Sequence, residues 1–138
     1  SCTHTLLFET GGDILTPENR EKYKQLKIMD ITQWLKEVVL PRIKVIRPKN
    51  RILLHPTCSC QIMGLTPVLL DIARKCAREV ILPDNWGCCG ASGDRGFIFP
   101  ELSDSATRDE RDEIGHESFD GCYSLARTCE IAMQDHIE

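Results

Sequence analysis

The sequence predicts an α/β fold: a mostly parallel sheet of about four strands with helices on both faces, in three layers. Three observations lead there. Short apolar runs alternate with helix-like segments of about ten residues, and that alternation implies right-handed crossovers and a parallel sheet. One run, Arg51–His55, has the unbroken apolar centre expected of a strand covered on both sides. The 138 residues are 41% hydrophobic and 28% charged, a composition that suits a single globular domain able to fold without a staple of disulfides or metal.

The elements follow in order. Lys27–Met29 reads as a short strand. Asp30 then caps a helix, with Gln33 three residues on as in a capping box, and Ile31, Trp34, Leu35, Val38 and Val39 form one apolar face. Pro41 ends this helix soon after Leu40. The second strand, Arg51–His55, stops at Pro56; Thr66 as N-cap and Pro67 then open a helix to about Ala77, with Leu69, Ile72, Ala73 and Cys76 along one side. The third strand is Glu79–Leu82, closed by Pro83. Four glycines between Asn85 and Gly96 exclude a regular element there and predict a shaped loop. A polar, poorly amphipathic helix from about Ser103 to Ile114 reads as solvated. A fourth strand near Gly121–Leu125 precedes a helix from Thr128, as N-cap, to about Ile137.

The net charge of −4 is spread along the chain, so nothing supplies the basic stripe that nucleic acid or an anionic membrane surface demands. The longest apolar runs are far too short to span a bilayer, and no leader is evident, which leads us to expect a cytoplasmic protein. The start at Ser1-Cys2-Thr3 reads as that of a fragment.

Eight cysteines fall below the density of a disulfide scaffold and need another reason. Loops leaving the carboxyl ends of parallel strands share one edge of the sheet, where open α/β folds place their sites. Cys58 and Cys60 follow the second strand, Cys88 and Cys89 the third, and Cys129 the fourth. Adjacent cysteines such as Cys88 and Cys89 do not readily pair with each other, so ligation suits them better. The candidate metal ligands are therefore Cys58, Cys88, Cys89 and Cys129, the last favoured as a thiolate by its helix N-terminus. Gly90, Gly93 and Arg95 are candidate cofactor-binding residues: the glycines let backbone amides approach a cluster, and Gly93–Gly96 is either an anion site or a tight turn. Cys76 reads as core packing, Cys122 as structural, Cys60 as ligand or bystander, and His55 as a turn residue, a role beside the site being the alternative. His4, His116 and His136 are unplaced. No Walker, dinucleotide or nucleophile-elbow motif occurs.

His55-Pro56-Thr57-Cys58, then Cys88-Cys89-Gly90 after 29 intervening residues, then Arg127-Thr128-Cys129-Glu130-Ile131 together resemble the cysteine-rich CCG domain. That domain occurs in heterodisulfide reductase and the iron–sulfur subunit of glycolate oxidase. The likeness is nearer to the C-terminal part of FAD-linked D-lactate dehydrogenases, where Gly-Asp-Arg-Gly follows the paired cysteines; here it is Gly93-Asp94-Arg95-Gly96. The resemblance covers about residues 51–133. It implies an electron-transfer domain of a flavin-dependent (R)-2-hydroxyacid dehydrogenase, working with flavin and ferredoxin-like domains that carry FAD and further [4Fe–4S] clusters in the same parent chain, and with a downstream electron acceptor. This chain alone would not turn over substrate. The wider pattern ends in Cys-x-x-Cys, whereas Ala126 stands three before Cys129, so four matching thiols remain rather than the five of the non-cubane cluster. Four thiolates suit a cubane cluster or tetrahedral zinc. Cys2 matches the closing cysteine of a preceding CCG half, and Cys2, Cys60 or Cys122 could supply a fifth ligand. The rival readings are a zinc-binding or regulatory thiol module without redox turnover, and a dithiol redox site, the latter lacking Cys-x-x-Cys.

Overall fold

The computed structural model describes residues 5, 7, 8 and 10–137. Cys2 and His4, and the side chain of His136, lie outside them. The fold is α/β with a parallel sheet in the order β2-β1-β3, where β1 is Lys49–His55, β2 Ala77–Ile81 and β3 Cys122–Ser124. Seven α-helices accompany it among the described residues: α1 (Pro17–Lys24), α2 (Ile31–Trp34), α3 (Cys58–Ile62), α4 (Thr66–Cys76), α5 (Arg95–Ile98), α6 (Pro100–Ile114) and α7 (Arg127–Ile137).

β1 takes the centre because its second half is buried on both sides. Ile52 and Leu54 point into an apolar cluster with Cys60, Leu65, Leu69, Ala73 and Ala77, while Leu53, 1% exposed, and His55 point the other way, toward β3 and α7. The expected helices on both faces are therefore present. α4 packs on β2 and reaches α2; α6 packs on α7. Both outer strands add their hydrogen bonds to β1, with Leu53 opposite Ile81 on one side and Cys122 on the other.

The sheet has three strands because Lys27–Met29 is irregular. Three residues offer few ladder bonds against the entropy of ordering them, and the chain turns at once into the Asp30 cap. That cap forms as expected: the Asp30 carboxylate accepts from Thr32 N at 2.8 Å, Gln33 closes the box, and Thr5 Oγ1 donates to Asp30 at 3.1 Å. The apolar stripe after it does not form a single buried face, since Ile31 and Trp34 are 42% and 44% exposed. α2 widens into a π-turn over Leu35–Val39 and tightens into a 3₁₀ turn over Leu40–Arg42. Pro41 explains the change of winding: it lacks an N–H, and its ring crowds the carbonyl of Glu37.

Three helix starts differ from expectation. Leu65, not Thr66, is the N-cap of α4, and Thr128 lies inside the first turn of α7 rather than capping it. α6 begins at Pro100, and its supposedly solvated surface is not solvated: Ser103, Thr107, Glu110 and Ile114 are buried along one stripe. Hydrophobic periodicity cannot report a buried stripe made mostly of polar residues. Two of the three polar side chains find partners, Thr107 Oγ1 donating to the Ser103 carbonyl at 2.8 Å and Glu110 pairing with His55, whereas Ser103 Oγ is buried without one.

Candidate functional site at the carboxyl edge of the sheet

The chain leaves β1 through Pro56 and is caught at once by Thr57, whose hydroxyl accepts from Cys60 N at 3.2 Å and caps α3. This short helix separates the two cysteines it carries. Cys58, in the first turn, is exposed; Cys60 is fully buried in the apolar cluster and is a packing residue. Cys76, expected in the core, is only half-buried at the end of α4, because the chain passes directly into β2 there. Cys122 sits half-buried in β3.

Beyond β2 the loop is fastened to α6. The Glu113 carboxylate accepts from Asn85 N and Asp84 N, each at 2.7 Å, and these two bonds hold its pKa below the usual carboxylate range. The loop then presents Cys88 outward and Cys89 inward. Gly90 follows with φ of +72°, and a Cβ there would lie 2.6 Å from the Leu102 carbonyl oxygen. Only glycine fits both demands, so the loop is clamped on α6 immediately after the paired cysteines. Gly93 also has positive φ but faces open space, and Arg95 is exposed at the start of α5. Of the three candidate cofactor-binding residues, Gly90 alone shapes the thiol loop by close contact.

Cys89 meets Cys129, which lies in the first turn of α7. Their sulfurs are 2.9 Å apart, both side chains are buried, and Ala91, Ala132 and Met133 pack around them. The two thiols are hydrogen-bonded to each other. Hydrogen bonding from Cys129, helped by the Ala91 amide and His55 and opposed by burial, pulls the Cys89 thiol down to about 6. Cys129 is held well above the ordinary thiol range by its bond to Cys89, by burial, and by negative charge on Cys89, Cys58 and Cys88. Two sulfurs are thus in contact, and the other two act electrostatically on one of them, Cys129.

As arranged, no three His, Cys, Asp or Glu side chains among the described residues are set to hold a metal ion. Ligation by all four thiols asks Cys58 and Cys88 to turn toward the buried pair, and both are exposed. The donor set itself, four soft sulfurs, fits an iron–sulfur cluster or zinc.

His55 is not a turn residue. It ends β1, is 3% exposed, and its Nδ1 lies 2.9 Å from Glu110 Oε2 and 3.1 Å from Oε1. The Trp86 ring meets it edge-on at 6.3 Å between centroids. Its Nε2 is buried with no hydrogen-bond partner, as is Ser124 Oγ, and both residues line a cavity of about 130 Å³ with Leu53, Cys122 and Met133. Glu110 escaped the sequence reading because it lies within a run of acids and bases that resembles any solvated helix; the one signal was its spacing from Ser103, Thr107 and Ile114. His116 is exposed.

No described helix is long and apolar enough to cross a membrane. No protein-family model, curated protein or solved structure matches this chain.

Proposed function

We propose that this chain is the iron–sulfur, electron-transfer part of a flavin-dependent (R)-2-hydroxyacid dehydrogenase, with Cys58, Cys88, Cys89 and Cys129 as cluster ligands. The observation that carries the reading is the contact at 2.9 Å between Cys89 and Cys129, residues forty positions apart, with the Cys58 and Cys88 thiols bearing on the ionisation of Cys129. The dehydrogenase assignment rests on the motif likeness around residues 51–133. It brings with it flavin and ferredoxin-like domains of the same parent chain, a downstream electron acceptor and a cytoplasmic setting, with any membrane association made through partners.

The chain's own residues have definable tasks in this reading. Cys89 supplies a sulfur already ionised near neutral pH. Cys129, in the first turn of α7, supplies the partner sulfur; contrary to the expectation from its helix start, its bond to Cys89, burial and the nearby thiols disfavour its ionisation in the metal-free chain. Gly90 fixes the loop against α6 directly after the paired cysteines, which keeps Cys89 buried beside Cys129. When bound, such a cluster supplies a one-electron relay whose potential responds to hydrogen bonds at its sulfurs.

Anaerobic reconstitution of the chain with ferrous iron and sulfide tests the proposal. A broad absorption near ~400 nm that bleaches on reduction is expected, and Cys89→Ser or Cys129→Ser should each abolish it. Stoichiometric zinc with no such band would overturn the iron–sulfur reading in favour of a structural zinc module.

A further inference from the structure

We propose that Cys89 and Cys129 form a two-electron dithiol–disulfide couple that small hydroperoxides oxidise when the thiols carry no metal. The argument is geometric. The sulfurs stand 2.9 Å apart, so closing to the ~2.05 Å of a disulfide asks for under an ångström of motion. Neither side chain is free to swing away. Gly90 is wedged against the backbone of Leu102 and Ser103 just after Cys89, Cys129 is built into the first turn of α7, and Ala91, Ala132 and Met133 enclose the pair. Both cysteines are outside any disulfide, at 5% and 9% exposure, which favours a small oxidant such as hydrogen peroxide over a bulky one.

The chemistry balances. One sulfur of the pair attacks the hydroperoxide; an S–O bond forms, the O–O bond breaks, and the departing oxygen leaves as alcohol or water with the thiol proton. The second sulfur then attacks the resulting sulfenic acid, forming the S–S bond and releasing water with its own proton. Two thiols and one hydroperoxide become one disulfide, one alcohol and one water, and an external thiol reductant reverses the change. Sequence spacing hid this couple, because the partners come from two loops rather than from a Cys-x-x-Cys turn.

The inference does not rest on the cluster reading, since bound metal would occupy the same sulfurs and silence the couple. The test uses the whole chain, stripped of metal by chelation under reductant and treated with equimolar hydrogen peroxide, with the cross-links mapped by mass spectrometry of its peptides. The expected product joins Cys89 to Cys129, forms far faster in the native chain than in urea, and disappears on reduction. In Cys89→Ser or Cys129→Ser the remaining thiol should stop at sulfenic acid, trapped by dimedone. Oxidation confined to Cys58 and Cys88, or closure equally fast in urea, would overturn the proposal. Failure to take up iron and sulfide would leave it untouched.

Discussion

The two faces of β1 are built on different terms. On one, Ile52 and Leu54 meet Cys60, Leu65, Leu69, Ala73 and Ala77, an apolar cluster whose thiol serves as a small hydrophobe. On the other, Leu53 and His55 meet a face in which the buried residues include Ser103, Thr107, Glu110, Cys89 and Cys129. The first face is held by burial of area, which is tolerant of exchange among apolar side chains. The second is held by particular pairs, His55 with Glu110 and Cys89 with Cys129, each of which has meaning only if both members are present. The chain concentrates packing on one side of its central strand and reactive groups on the other.

Substitutions on the two sides should separate these terms. Leu54→Ala, at a site 3% exposed, removes area and leaves a cavity, and should cost ~3 kcal/mol in a denaturant titration. Glu110→Leu on the other side should cost less, about 1–3 kcal/mol, because it strands the buried His55 Nδ1 without its partner. Adding His55→Leu should then recover much of that loss, since two apolar groups replace the pair; full additivity of the two changes would refute the coupling.

Gly90→Ala combines a positive φ with a backbone clash and should cost ~2–4 kcal/mol, whereas Gly93→Ala, with φ of +77° and open space, should cost about 1. Equal effects would mean that the clamp on α6 does not exist.

The smallest expected effect concerns pH. Cys89 is depressed to about 6, so its contribution to stability is complete above the unfolded thiol's ~8.5 and is lost as pH falls through about 6. In the metal-free chain, alkylation of Cys89 should follow the same midpoint, and Cys129→Ala should move it up toward ordinary thiols by removing the donor. An unchanged midpoint would show that the sulfur contact does not govern ionisation.

What could be read from sequence was whatever depends on local chemistry or on apolar pattern. β1 announced itself by its unbroken run, α4 by Leu69 and Ala73, and the Asp30 cap by Gln33. The convergence of Cys89 and Cys129 followed from topology, because both lie just beyond the carboxyl ends of parallel strands. Polar burial was not readable in the same way. Ser103, Thr107 and Glu110 face inward because His55 and the glycine-clamped loop await them, and such partners are chosen only in three dimensions. Cys60 shows the same limit: two residues from an exposed cysteine, it turns inward because Thr57 caps a helix that periodicity was too short to reveal.

β3 contributes only three residues to the sheet, yet the segment that follows it carries Cys129. Cys89 hangs on a loop fastened twice to α6, whereas its counterpart is tied to the sheet by a very short ladder. The pair is thus anchored unequally: Cys89 by a loop fastened to α6, Cys129 by a helix that rests on α6 but follows a three-residue strand. Backbone amides of α7 should exchange with solvent through smaller openings than those of β1, giving reagents a way in to the buried sulfurs without unfolding the apolar half of the molecule.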